Sequence, residues 1–392
     1  GYIELQQRTT DVTVTAGLRA DAFDGRSRAG NGVSGMKLAL GPRLAVSTAL
    51  GPAIVVASWG RYAQPPDFQY LVDGAFDDTV RTGRFRRGNP GLGFETATQY
   101  ELQVRARLAS RVGLRVGAYV RRLDGLVASV PLGVDPDSAI FGNADFGNVK
   151  GLEVSVEREL RDHLGWRVTY VLQHATATAT NARDLYRRLQ ITPLGDTIIP
   201  ATVEFPLDFD RRHAIVVVGR VRVPRALGSV LAGTEASVVG RWSSGLPFTQ
   251  TNVTGDSLIG LPNSQRLPHQ ERLDLLIRRL LRVGGWRLGL FADVRNVLAR
   301  RNVVAVRRDS GDPAATDGQI AAMAESAYLA NPHAIPYESP RYRAWADANG
   351  DGLVSGRAEL LPLFERAARD IAQPLFYYGS PRLLRFGIEL LF

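Results

Sequence analysis

Arg385-Phe386-Gly387-Ile388-Glu389-Leu390-Leu391-Phe392 is the stretch whose reading decides the fold. Phe386, Ile388, Leu390 and Phe392 alternate with Arg385, Gly387, Glu389 and Leu391. A period of two puts one apolar face and one mostly polar or small face on a single strand. In a water-soluble domain, a strand that stops on a bare aromatic residue is a frayed or capped edge. Here the same rhythm runs back through the chain. Val12 to Asp21, Leu114 to Arg121, Leu164 to Gln173 and Trp286 to Arg295 all alternate in the same way. Each apolar face spans roughly ten residues, the length a tilted strand needs to cross a bilayer. Trp166 and Trp286 stand near the start of their strands on that face, where interfacial aromatic girdles sit.

The alternation predicts about thirteen strands, near 2–8, 11–23, 37–49, 52–63, 96–109, 112–124, 146–160, 163–176, 211–223, 231–244, 270–282, 285–298 and 380–392. Their connections are short and long in turn. Tight turns fall near Thr9-Thr10, Gly51-Pro52, Ser110-Arg111, Arg161-Asp162, Arg225 to Ser229 and Val283-Gly284. Long loops fall near 24–35, 65–95, 125–145, 178–209, 246–268 and 300–379. Segregation of loop length by end is the habit of outer-membrane barrels. No apolar run approaches the ~18–20 residues of a membrane-crossing helix, so a membrane protein of this sequence must cross with strands. The fold expected is all-β, a transmembrane antiparallel up-and-down β-barrel. Its expected division is residues 1–300 as barrel strands, 301–378 as a large, partly helical extracellular loop, and 379–392 as a closing strand. Single-chain bacterial barrels have an even strand number. An odd count with a periplasmic C-terminus leads to the expectation that an N-terminal part of the barrel precedes Gly1.

The formal net charge is +9, from 48 Lys and Arg against 39 Asp and Glu. The arginines are dispersed among alternating strands and form no basic run or helix, which argues against nucleic acid as a partner. There is no cysteine, so disulfides and thiolate metal sites are excluded.

Several segments resemble a family, the TonB-dependent outer-membrane receptors, in particular the group with a carboxypeptidase-regulatory-like domain before the plug. They are Ala16 to Asp21, Gly41-Pro42-Arg43-Leu44, Tyr62 to Pro66, Gly88-Asn89-Pro90 onward to Tyr100-Glu101, Asn148 to Glu153, Asp208 to His213, Asp293 to Leu298, and Gly379-Ser380-Pro381-Arg382. Phe94 stands where the family pattern often has Pro, and Ala299-Arg300 where a second Asn often lies. The resemblance implies a 22-stranded barrel with a plugged lumen, of which this sequence is the C-terminal part. It implies an assembly signal at Arg385, Gly387, Leu390 and Phe392, read by the barrel-assembly machinery. It also implies outer-membrane lipid, TonB acting through an N-terminal plug, and an unidentified extracellular ligand as partners. Uptake of that ligand is the function it implies. A plugless porin, a barrel-anchored surface adhesin and a soluble β-rich carbohydrate-binding protein are the alternatives.

Candidate site residues are of two kinds. By alternation, Arg115, Tyr119, Arg121, Arg287, Asp293 and Arg295 are expected to face the lumen, with Leu114, Val116, Ala118, Val120, Leu288, Leu290 and Val294 toward lipid. The arginines there favour anionic groups. Asp347-Ala348-Asn349-Gly350-Asp351-Gly352-Leu353-Val354-Ser355 resembles the opening of an EF-hand-type calcium loop. A hard cation takes oxygens from positions 1, 3 and 5 and from the carbonyl at 7, with a glycine at 6. Those ligands are Asp347, Asn349, Asp351 and Leu353. Position 12 is Ala358, and Glu359 is one residue late, so a weak Ca²⁺ site is expected.

No catalytic constellation emerges, and no enzyme is expected. None of the five histidines pairs with another at i, i+4, which excludes a helical zinc motif. The glycines between Gly83 and Gly93 lie in a loop with no following helix and do not build a phosphate cradle. Asp208, Asp210 and His213 are read as hydrogen-bonding groups at a strand mouth rather than as metal ligands.

Overall fold

The computed structural model describes residues 1–25, 35–72, 85–132, 135–159, 163–183, 190–191, 197–198, 203–224, 226, 231–252, 255, 257–372 and 377–391. Thirteen long strands follow one another along the described chain. They are β1 Tyr2–Arg8, β2 Val12–Asp24, β3 Met36–Leu50, β4 Ala53–Gln64, β5 Glu95–Ala109, β6 Val112–Leu132, β7 Asp135–Arg158, β8 Leu164–Ala177, β9 His213–Arg222, β10 Thr234–Ser243, β11 Gln270–Val283, β12 Trp286–Arg295 and β13 Leu383–Leu391. Every neighbour in sequence is an antiparallel neighbour in one sheet, and β1 and β13 are its two edges. The barrel is therefore open. Two short segments join off this path, Phe85–Arg87 against β7 and Phe205–Pro206 against β8. No helix among the described residues is long and apolar enough to cross a membrane.

The hairpin turns gather at one end of the sheet, the turn end, and the long connections at the other, the loop end. Gly51 and Gly284 hold φ of 58° and 59° at two of these turns, a region that favours glycine. The turns expected at Arg161-Asp162 and Arg225 to Ser229 lie mostly outside the described residues, as do parts of the loops expected at 24–35, 65–95, 178–209 and 246–268. Phe392, the last member of the expected assembly signal, also lies outside them.

One expected loop is not a loop. Residues 125–145 extend the β6–β7 hairpin to Leu132 and Asp135. The ladder absorbs Gly125, at φ 67°, in register shifts around Asp124, Leu126 and Val127. A bulge of this kind turns a strand without ending it. The extension is packed on a small core of Leu71, Leu92, Val127, Phe141 and Ala182.

The connection between β12 and β13 carries two helices, α1 Asp317–Ala330 and α2 Gly356–Ala372. Thr316 caps α1 with a reciprocal pair of bonds to Gln319, which satisfies two otherwise orphaned donors. Ile320 of α1 is buried with Ala315, Ala368 and Ala372. Leu360 of α2 is buried with Ile335, Ala346 and Val354. A two-residue ladder, Ile335–Pro336 against Leu353–Val354, braces the segment between the helices.

Candidate functional site

The register decides which side chains share a face, because directly paired residues point to the same side. Arg115 pairs with Arg105 and with Ser155. The chain of partners continues from Ser155 to Thr169, Val216, Arg241 and Arg272. Two steps along β11, Leu276 pairs with Asp293. By this path and the period of two, Arg115, Tyr119, Arg121, Arg287, Asp293 and Arg295 occupy one face of the sheet. Leu114, Val116, Ala118, Val120, Leu288, Leu290 and Val294 occupy the other. The four strand tryptophans, all on the apolar face, fall toward its two ends. Trp59 pairs with Tyr100 toward the loop end, and Trp242 pairs with Ile215 there. Trp166 and Trp286 stand at the turn end.

On the polar face, Arg115, Tyr119 and Arg121 line a concavity of about 1870 Å³ with Gln99, Glu101 and Gln103. The guanidinium of Arg121 donates through Nε and Nη2 to Gln99 Oε1 at 3.1 and 2.8 Å. The Tyr119 hydroxyl donates to Gln173 Oε1 at 3.3 Å. Arg287, Asp293 and Arg295 lie on the same face six strands further on and do not border this concavity. There Arg295 is paired with Asp293 at 3.1 Å. The face is an arginine-rich wall that offers hydrogen bonds to polar and anionic groups.

Glycines make room for large rings on this face. A Cβ on Gly151 would collide with the ring of Tyr119, and one on Gly387 with the ring of Phe291. Both are directly opposed pairs, Tyr119 to Gly151 and Phe291 to Gly387. Gly387 belongs to the expected assembly signal together with Arg385 and Leu390, and β13 pairs with β12 from Leu383 to Leu391.

At the loop end, Asp208, Asp210 and His213 go three separate ways. Asp208 Oδ1 accepts from Asn263 Nδ2 at 2.7 Å. Asp210 is fully buried; its carboxylate accepts the Ala175 N–H at 2.8 Å and pairs with Arg266. His213 Nδ1 meets the Tyr170 hydroxyl at 2.9 Å. Among the described residues, no three His, Cys, Asp or Glu side chains are grouped to hold a metal ion. Sequence reasoning did not find Arg266 or Asn263, which lie 56 and 55 residues from their partners. Two other motif residues prove to be staples. Asn89 donates to Phe141 O at 2.7 Å and accepts the Gly91 N–H at 2.8 Å. Asn296, at φ 52°, donates to Arg300 O and Ser380 O at 3.0 and 3.2 Å, joining both stems of the last loop.

The calcium-like loop is closed on itself. Asp347 accepts the N–H groups of Gly350 and Gly352 at 2.8 and 3.0 Å and the Tyr342 hydroxyl at 2.7 Å. Asn349 Nδ2 donates to Asp351 Oδ2 at 3.0 Å. The Leu353 N–H donates to Asp351 Oδ1 at 2.8 Å. Glu359 reaches back from α2, accepting the N–H groups of Ala348 and Ser355 at 3.1 and 2.8 Å. Gly352 holds φ 82°, which explains the glycine at the sixth position. The Tyr342 hydrogen bond is the main cause that holds the Asp347 carboxyl below its usual range. The same bond pushes the Tyr342 hydroxyl up to about 12.

The family model described as TonB dependent receptor-like, beta-barrel matches residues 1–297. Among solved structures, the chain is similar to the outer membrane transporter YddB from Escherichia coli, at 10% identity and a TM-score of 0.56, covering 77% of this chain and 41% of that one. It is similar to the pyoverdine outer membrane receptor FpvA from Pseudomonas aeruginosa PAO1, at 12% identity and a TM-score of 0.53, covering 79% and 39%. It is also similar to the FrpB iron transporter from Neisseria meningitidis, at 15% identity and a TM-score of 0.52, covering 77% and 41%. The chain thus spans about two fifths of the length of these structures. A comparison with curated protein sequences finds no match.

Proposed function

We propose, from the premise that this chain belongs to the TonB-dependent receptor-like β-barrel family, that it forms wall and loops of a receptor that takes up a ligand. Members of the family are Gram-negative outer-membrane proteins, and the outer membrane is where this chain resides. The observation that carries the proposal is the antiparallel pairing of successive long strands, which gathers a mostly apolar set on one face and an arginine-rich set on the other. An apolar outer band satisfies lipid, and a polar inner wall admits water and solute. In this reading Arg115, Tyr119, Arg121, Arg287, Asp293 and Arg295 line the lumen, and the connections at the loop end gather ligand from outside. TonB acts through a plug domain supplied by sequence outside these residues. The barrel-assembly machinery reads the end of β13. The loop at Asp347 to Glu359 takes calcium as an ordering ion, weakly, because its acids already accept backbone N–H groups.

Two relatives suggest a ligand class to test first. FpvA is seen bound to pyoverdine, and FrpB is an iron transporter. The experiment is growth of a Gram-negative host on iron chelates as sole iron source, with this chain joined to its native flanking sequence, in cells with and without TonB. Growth that requires both supports uptake. Growth indifferent to TonB favours the plugless porin.

A further inference from the structure

In the closed loop ahead of α2, Asn349 is followed by Gly350. An Asn-Gly pair carries a latent reaction. The backbone nitrogen of Gly350 can attack Asn349 Cγ, because glycine puts no side chain in the way. The Cγ–Nδ2 bond then breaks, and Nδ2 departs as ammonia with the proton that the Gly350 nitrogen gives up. A cyclic succinimide remains. Water opens it at Cγ to give aspartate, or at the Asn349 carbonyl carbon to give isoaspartate, whose main chain runs through the former side chain. Water is the only co-reactant.

The structure holds both reacting groups in other bonds. The Gly350 N–H donates to Asp347 Oδ1 at 2.8 Å. Asn349 is anchored twice on Asp351. Its Oδ1 accepts the Asp351 N–H at 2.9 Å, and its Nδ2 donates to the Asp351 carboxylate at 3.0 Å. The nucleophile is thus tied to one acid and the leaving group to another. Ring closure needs nucleophile and carbon brought into contact, so these bonds must open first. Nothing else shields the pair. Asn349 and Gly350 are both exposed. Beyond the chain neighbours of Gly350, no atom lies within 4 Å of the place its side chain would occupy, so water has access.

We propose that Asn349 is a site of spontaneous deamidation gated by the closure of its own loop, and that its conversion leaves the loop open. While the loop is closed, Asp347 and Asp351 hold the reaction off. Each local opening exposes Asn349 to it, so conversion follows the time the loop spends open. Neither product restores the closure. Aspartate sets a carboxylate where the amide donated to Asp351, and two like charges meet in place of a hydrogen bond. Isoaspartate adds a methylene to the main chain and carries the Gly350 N–H away from Asp347. The same segment bears the ladder from Leu353–Val354 to Ile335–Pro336, so the brace between α1 and α2 loosens with it. The inference rests on neither calcium nor transport.

The test incubates the full chain folded in nonionic detergent with a calcium chelator and, in parallel, unfolded in guanidinium chloride. Trypsin releases Ala344–Arg357, in which Asn349 is the only amide side chain. The mass change from NH2 to OH in that peptide therefore reports Asn349 alone, and isoaspartate methyltransferase labels the second product. Conversion should be about tenfold slower in the folded chain, the protection that hydrogen bonds of ordinary net strength supply. Asp347→Ala should remove most of that difference, and Asp351→Ala, which frees Nδ2, should act in the same direction. Asn349→Asp stands in for one product, and deuterium exchange of its residues 350–353 should rise while β11 and β12 stay protected. Equal rates in folded and unfolded wild type overturn the gate, as does a folded rate untouched by both Ala variants. Absence of conversion in both states overturns the modification itself. Unchanged exchange in Asn349→Asp overturns the claim that the product stays open.

Discussion

The guanidinium of Arg266 closes on Asp210 from two directions across 56 residues of chain. Its Nη1 donates to the Asp210 carbonyl oxygen at 2.7 Å, and its Nη2 pairs with the buried carboxylate. The same Nη1 reaches Gly245 O at 3.3 Å. Asn263 adds a bond to Pro206 O at 2.8 Å. Two long connections at the loop end are therefore tied to each other and, through the Ala175 N–H, to the end of β8.

Arg266→Ala should loosen this knot. It leaves the Asp210 carboxylate buried with one backbone donor and with Arg212 at 3.7 Å. A hydrogen bond to a charged group contributes about 1.5–3 kcal/mol, and the loss should appear locally. Hydrogen–deuterium exchange should rise in 203–210 and 245–266 together while β11 and β12 stay protected. A rise in only one segment would show that the connections are not coupled through this residue.

Gly387→Ala should destabilise the β12–β13 pairing by about 1–3 kcal/mol, the range for overpacking a filled site. The added Cβ meets the Phe291 ring. Phe291→Ala in the same chain should recover part of the loss, because it empties the space. Urea unfolding of the single and double variants measures both, and an additive result would refute the contact.

Val116→Arg should cost about 2–4 kcal/mol in a bilayer, since it puts a guanidinium in the middle of the apolar face. Gly117→Arg, one residue on, points to the polar face and should cost far less. Unfolding from lipid vesicles compares them. Equal costs would mean that the two faces do not differ in environment.

The loop around Asp347 should respond to pH at both extremes. Asp347 is held low in the folded state, so its contribution is present above the ordinary carboxylate pKa and is lost as pH falls through the depressed value. Tyr342 is raised to about 12, so its contribution is present below about 10 and is lost as pH rises toward 12. Protection of the 347–355 backbone amides, taken relative to the intrinsic exchange rate at each pH, should therefore be greatest between these limits. Tyr342→Phe should remove the alkaline limb and weaken the acid one, leaving the part that the Gly350 and Gly352 N–H groups sustain.

Calcium titration followed by calorimetry tests the same loop as an ion site. Binding is expected only in the range of about 0.1–1 mM typical of extracellular modules, and Asp351→Ala should abolish it. Absence of heat at millimolar calcium in the wild type would leave the loop as a turn closed by its own N–H groups.

The period of two was legible from residues alone, because alternation is local and every strand repeats it. Leu114 to Arg121 and Trp286 to Arg295 announce both strand and facing before any pairing is known. The calcium-like loop was legible for the same reason, since its glycines and acids sit within a few residues of one another. The loop end was not legible. Nothing near Asp210 indicates Arg266, nothing near Phe291 indicates Gly387, and the run 125–145 read as a loop where the structure continues the ladder through register shifts. What the sequence determined by itself was the alternation, and with it the membrane-crossing β class. Only the tertiary structure decided the register, and register places Tyr119 on Gly151 and Phe291 on Gly387. The physical reason is range. A strand's two faces follow from the backbone pleat, whereas partners across strands and loops follow from pairings that join residues tens of positions apart.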